Sequence, residues 1–424
     1  MARFLYTLLF YLLTPLILLR LLWRSRRAPD YRCRWAERFG FVPPVAHGRP
    51  VIWVHSVSVG ETLAAVPMIR ALQVRHPESL LAVTTMTPTG SARVRAVFGD
   101  SVYHVYAPYD LPCALGRFLK RVRPQLLVIM ETELWPNLIH SCHSRGVPIV
   151  LANARLSEKS AGGYRKFSVL TGPMLKVIDA IAAQHRDDGE RFLSLGLPEP
   201  RLTVTGNIKF DLDIDTSLSQ QAADLKAQWQ GESGRPIWLV ASTHRGEDEI
   251  ILDAFALLLE KFPSLLLVLV PRHPERFNEV AQLCESRGNT LVRRSSGAIP
   301  GRGDQVLLGD TMGELLLFFG ACDIAFVGGS LVPVGGHNLI EPAAWQVPVL
   351  SGPHLFNFAE ASRLLLDAGG MAVCVDASGI AEKVGELLAT PQAATQMGEA
   401  AKSVAESNRG ALARLLAVIE RQLS

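Results

Sequence analysis

Five carboxylates and a few cations stand at places in this sequence where chemistry would be done. In HSVSVGET (55–62) a run of apolar residues ends in a Ser/Gly loop, and Glu61 opens a helical stretch. A carboxylate on the first turn of a helix is stabilised by the N-terminal partial charge and stays ionised, as a general base must. The same residue type also serves as an ordinary helix-starting residue, and the local pattern leaves both readings open. METELWPN (130–137) places Glu131 and Glu133 at another strand end, where Glu131 could orient or polarise reacting groups or remain a solvated loop carboxylate. VTGNIKFD (204–211) offers Lys209, either a surface lysine or a point charge for a phosphate or carboxylate. In the second half, PRHPERF (271–277) places Arg272 after a strand, where its fork suits bidentate phosphate or base contacts.

GGSLVPVGGHNLIEP (328–342) is the densest segment: two glycine pairs lead into a helix expected to start near His337 and Asn338. Free N–H groups at such a turn would cradle a phosphate, and Glu341 one turn on could accept hydrogen bonds from ribose hydroxyls. LLGDTMGELL (307–316) adds a second such turn at Gly313 and Glu314. Neither segment has the spacing of a dinucleotide-binding or P-loop fingerprint, which argues against a dehydrogenase or an ATPase. His244, His273 and His337 lack the spacing of a metal shell, and the six cysteines are scattered, so neither a zinc site nor a disulfide framework is written here.

The elements that must hold these residues recur as Val/Ile/Leu-rich runs separated by helical stretches, the pattern of parallel sheets buried on both faces. One series runs from VIWVHS (51–56) to LTVTGNI (202–208), seven strands in all; a second, also of seven, runs from IWLVAST (237–243) to MAVCVD (371–376). Between them, residues 211–235 are polar and carry no strand. The expected architecture is two doubly wound Rossmann-like α/β domains facing across a cleft: residues 28–210, a linker over 211–235, residues 236–392, and a helical tail over 393–424 packing back toward the first domain. Strand-end residues of both domains would then share one ligand site.

The first 27 residues read differently. FLYTLLFYLLTPLILLRLLW (4–23) has a single charge and, as a helix, is about 30 Å long, one hydrocarbon core. Residues 20–40 then hold seven arginines (20, 24, 26, 27, 32, 34, 38) against Asp30 and Glu37, although the chain's net charge is only +3. A basic collar confined to one short stretch argues against a nucleic-acid binder and for a membrane anchor whose following residues stay cytoplasmic. No small-residue cleavage site follows the apolar run, Pro15 and Arg20 make a straight span imperfect, and a helix lying in the interface stays open beside the spanning one, as does a buried core helix. With 48% hydrophobic and 20% charged residues, the remainder is a folded body and neither disordered nor polytopic.

WVHSVSVGE, METELWPN, NARLS, GNIKFD, STHRGE, PRHPERF, GDTMGEL and GGHNLIEPAA, in this order behind an apolar anchor, resemble the 3-deoxy-D-manno-octulosonic acid (Kdo) transferases of lipopolysaccharide synthesis across essentially the whole chain. The resemblance implies a GT-B glycosyltransferase at the cytoplasmic face of the bacterial inner membrane. Its donor would be CMP-Kdo, its acceptor a lipid A precursor, and the anomeric carbon would be inverted without cofactor or metal. It implies Glu61 as the base on the acceptor hydroxyl, with Glu131 and Lys209 stabilising the transition state. CMP would be held by Pro271 and Arg272, by Met312, Gly313 and Glu314, and by Asn338, Leu339, Ile340 and Glu341. Another lipid-linked GT-B transferase, a nucleotide-sugar epimerase, or a non-enzymatic sensor would share the sheets and turns.

Overall fold

On β1 (Val51–His55) the odd and even residues serve different cores. Trp53 packs with Phe118 and Leu127, while Ile52 and Val54 pack on the other face with Met68, Val128 and Leu415. Side chains alternate across a strand, so a strand covered on both faces must be apolar throughout. The computed structural model describes residues 1–26, 29–46, 48–212 and 214–423; Arg27 of the basic collar and the expected boundary after it lie outside the described residues.

The chain divides into two compact units, Met1–Asp211 with Gly410–Ser424, and Leu212–Arg409. In the first, β1, β2 (Leu80–Thr85), β3 (Tyr103–Tyr106), β4 (Leu126–Met130), β5 (Ile149–Ala154), β6 (Ala180–Ala183) and β7 (Leu202–Val204) form a parallel sheet of order β3-β2-β1-β4-β5-β6-β7. In the second, β8 (Ile237–Thr243), β9 (Leu266–Pro271), β10 (Leu291–Arg293), β11 (Val306–Leu308), β12 (Ile324–Val327), β13 (Val349–Ser351) and β14 (Met371–Val373) take the order β10-β11-β9-β8-β12-β13-β14. Each sheet is doubly wound, with its strand order reversing between β1 and β4 and between β8 and β12. Ligands of such sheets bind beyond the carboxyl ends of the strands at that reversal.

The helices that bear on function are α1 (Ala2–Arg24), α2 (Val59–Arg75), α3 (Pro136–His143), α4 (Ser168–Leu175), α5 (Thr216–Gln230), α6 (Leu315–Gly320), α7 (Ile340–Ala344), α8 (Pro391–Ser407) and α9 (Ala411–Glu420). α1 is apolar and long enough to cross a membrane, and it stands as the candidate anchor.

Two stretches differ from the sequence expectation. The 211–235 segment contains α5, capped by Asp215, whose Oδ1 accepts the Leu218 N–H at 2.7 Å. Ala222, Leu225 and Trp229 form its buried stripe, and Trp229 meets Phe318 of α6 edge-on at 5.3 Å. Three apolar residues at helical spacing are enough to dock a helix whose other positions are polar. The 393–424 tail also divides. α8 packs on α7 within the second unit, Gly410 turns the chain at φ +82°, and only α9 joins the first unit. There Leu415, Leu416 and Ile419 are buried against α2 and the sheet, and Arg75 pairs with Glu420 at 2.8 Å.

Candidate active site

In the first unit the reversal point gathers carboxylates. Ser58 caps α2: its Oγ accepts the Glu61 N–H at 3.2 Å and donates to Glu61 Oε1 at 2.6 Å, while the Val57 N–H donates to Oε2 at 2.7 Å. This capping box fixes the carboxylate in one place, so the helix-starting role and a chemical role fall on one side chain. Burial pushes the Glu61 carboxyl above its ordinary range; hydrogen bonds from Ser58 and Val57 pull it part of the way back, and the charges of Glu133 and Glu131 push it up again. A carboxylate tuned upward and ringed by like charge suits proton acceptance.

Glu131 directly follows β4 with φ +54°, a left-handed conformation that costs a non-glycine residue about 1–2 kcal/mol. Its Oε1 lies 3.2 Å from Lys209 Nζ and its Oε2 3.4 Å from Arg155 Nε. Lys209 reaches it because the chain after β7 folds back: Asn153 Oδ1 accepts the Ile208 N–H at 3.1 Å, and Arg414 of α9 donates to the Thr205 carbonyl at 2.8 Å. Glu133 accepts from Trp135 Nε1 at 2.8 Å, and burial raises its carboxyl too. Beneath them His55 is fully buried against Trp135, and burial pushes its pKa down to about 3, so the imidazole is neutral.

In the second unit, loops from β8, β9 and β12 converge. Asn338 Oδ1 accepts the Ile340 N–H and its Nδ2 donates to Glu341 Oε1, both at 3.0 Å. The field of Arg272 acts on Glu341, opposing the rise that burial causes, and adds to the burial that pushes His337 down to about 4. The His337 and His244 rings stack 5.1 Å apart, with Nε2 atoms 2.9 Å apart, so the pair shares one proton. Glu314 pairs with Arg294 at 2.7 Å, which holds its carboxyl below the ordinary range. Gly313 has φ +91° and Met312 is exposed beside it, while Pro271 ends β9.

The glycine-rich segment departs from expectation. Its helix begins at Ile340 and is one turn long. The turn's N–H groups are already taken: Glu247, fully buried, accepts from Gly329 at 2.7 Å, Ser330 at 2.9 Å, Leu331 at 2.8 Å and His244 at 2.8 Å. Gly335 and Gly336 N–H both donate to the Gly329 carbonyl. The anion in this nest is the protein's own carboxylate, so an incoming phosphate must look elsewhere. Leu339 and Ile340 are buried side chains, which leaves only their backbone for a nucleotide. Sequence reasoning missed Glu247, and nothing in STHRGE distinguishes it from an exposed acidic residue before a helix.

Thus Glu61, Glu131 and Lys209 stand at the carboxyl ends of one sheet, with Glu133 and Arg155 added, and on the other sheet Arg272 lies close enough for its charge to act on Glu341. Among the described residues no group of three or more His, Cys, Asp or Glu side chains is placed to hold a metal ion.

Two doubly wound units with polar edges define the GT-B class. Solved structures agree at the level of fold. The chain is similar to UDP-GlcNAc 2-epimerase from Neisseria meningitidis (16% identity, TM-score 0.59, covering 88% of this chain and 100% of that one). It is also similar to a glycosyltransferase from Rickettsia africae (13%, TM-score 0.56, 89% and 100%). Sequence relatives are more specific. The chain is 47% identical to the 3-deoxy-D-manno-octulosonic acid transferase of Haemophilus influenzae over 100% of its own length and 99% of the relative's. It is 38% identical to that of Bordetella pertussis over 99% of each. The family described as 3-Deoxy-D-manno-octulosonic-acid transferase (kdotransferase) matches residues 33–212. The chain belongs to the Kdo transferase family of glycosyltransferases.

Proposed function

We propose that the chain moves Kdo from CMP-Kdo to a primary hydroxyl of a lipid A precursor in lipopolysaccharide synthesis, at the cytoplasmic face of the bacterial inner membrane. The observation that carries this reading is the placement of Glu61, buried, capped and raised by burial and by like charge, beside the Glu131–Lys209 pair. In one step the acceptor oxygen forms its bond to the anomeric carbon of Kdo as the bond from that carbon to the CMP phosphate breaks. The hydroxyl proton passes to Glu61, the electron pair leaves on the phosphate, and attack from the opposite face inverts the centre. Lys209 and Glu131 stabilise the charge that develops between the oxocarbenium-like sugar and the departing phosphate. Arg272 supplies the fixed positive charge for CMP, with Asn338–Glu341 and Met312–Glu314 orienting the nucleoside. Cationic side chains cover the phosphate charge, so the reading requires no metal and no cofactor.

The test is a transfer assay with purified full-length protein, CMP-Kdo and a tetraacyl lipid A precursor, following CMP release and lipid mass. Kdo on the lipid supports the reading. CMP-Kdo bound without any transfer places the acceptor elsewhere.

A further inference from the structure

Tyr6, Phe10, Thr14, Ile17, Leu21 and Ser25 recur at steps of three and four, so they form one face of α1 and its C-terminal cap, and none of them is exposed. That face is docked. The Tyr6 hydroxyl donates to Asp110 Oδ2 at 2.9 Å, and the neighbouring Thr7 hydroxyl donates to Asn137 Oδ1 at 3.0 Å. Leu21 is buried with Tyr109, Leu111 and Ala114, and Ser25 accepts from Arg32 Nε at 2.9 Å. Tyr6 and Leu21 are fifteen residues apart, about 22 Å along the axis. A helix held at both ends on the body has no free length with which to cross a hydrocarbon core of about 30 Å. Pulling it off would also strip a partner from Asp110 and Asn137, polar side chains only 3% and 0% exposed.

The opposite face carries Leu5, Leu9, Leu12, Leu16, Leu19 and Trp23, each 55–67% exposed, in a row along the helix. Arg3, Arg20 and Arg24 are exposed on the same helix, and Arg26 follows. An apolar row edged by guanidinium groups and ending in tryptophan matches an anionic lipid surface, apolar below and negative above. A second copy of the chain would set these cations against one another.

We propose that α1 lies in the plane of the membrane interface, docked on the first unit along its length, and does not span the bilayer. The inference rests on reading the protein as membrane-attached, and it deepens that reading. Arg20 and Pro15, awkward within a span, are ordinary in an interfacial helix. Asn137 opens α3 directly after the loop of Glu131 and Glu133, so the docked helix brings the lipid surface beside the candidate base, where a lipid-borne hydroxyl must arrive.

The test uses full-length protein expressed in a Gram-negative host, with Cys33→Ser and Cys113→Ser removing the exposed thiols and Ala2→Cys adding one at the helix start. Cells are converted to spheroplasts, treated with a membrane-impermeant maleimide before or after lysis, and fractionated. An in-plane helix keeps residue 2 inside: the protein sediments with membranes and the introduced thiol reacts only after lysis. A spanning helix puts residue 2 outside, and labelling of intact spheroplasts overturns the inference while leaving membrane attachment intact. Recovery in the soluble fraction, as monomer or as a dimer joined through α1, overturns the membrane reading and the inference with it.

Discussion

Glu61 carries two duties that usually fall on different residues. As the third residue of α2 it closes a capping box, and as a buried carboxylate near Glu133 and Glu131 it holds its proton more tightly than an exposed glutamate. The deprotonated form is the active one for a base, so kcat/KM falls as pH drops through this raised pKa. Removing a like charge lowers it, and Glu133→Gln is expected to move the acid limb of the pH–rate profile to lower pH; an unmoved limb would separate Glu133 from the base. For Arg272→Ala the expectation is weaker CMP binding, about 10- to 100-fold for one charge-assisted contact, measured by calorimetry with the thermal unfolding midpoint unchanged. At this scale the sequence showed where Glu61, Glu131, Lys209 and Arg272 sit, because each follows a recognisable apolar strand. It hid the partnerships: the Lys209–Glu131 pair, the hold of Asn153 on the Ile208 N–H and the His244–His337 pair all join residues far apart in the chain.

Each of the fourteen strands among the described residues was legible as an element: the central ones, buried on both faces, are unbroken apolar runs, and the partly exposed edge strands β3, β7, β10 and β14 were legible from the regular alternation of such runs with helical stretches. Short helices and shaped loops were not. α5 hides three apolar residues among polar ones, and the glycine-rich turn after β12 is shaped by a glutamate 82 residues earlier in the chain. That glutamate ties the loop after β8 to the loop after β12, the two loops flanking the strand-order reversal in the second unit. Glu247→Ala leaves four N–H groups without their acceptor, a loss of about 3 kcal/mol or more. The expected outcome is a lowered thermal midpoint together with a raised KM for the donor, and an unchanged KM would show that the turn does not shape the nucleotide site.

The whole chain leaves its first unit at Asp211 and returns at Gly410, so that unit is completed only when the last helix has been made. Leu415, Leu416, Val418 and Ile419 are all nearly inaccessible. At about 2 kcal/mol for each buried side chain, their removal costs about 8 kcal/mol, comparable with the stability of a typical domain. Ending the chain at residue 409 is therefore expected to unfold the first unit, while a fragment of residues 212–409, continuous in sequence, unfolds cooperatively by calorimetry. A stable first unit without α9 would contradict this. The tail's course could not be read from its sequence, because α8 and α9 are both amphipathic and only Asn408, Arg409 and Gly410 divide them.

The central claim is that Glu61 takes the acceptor's proton. Its most direct test compares wild type with Glu61→Gln in the same assay, measuring Kdo transfer to the lipid alongside CMP binding. The amide keeps the size of the side chain and removes its basicity, so transfer should fall by about 100-fold or more while CMP affinity stays within a factor of about two. Transfer near the wild-type rate would contradict the assignment.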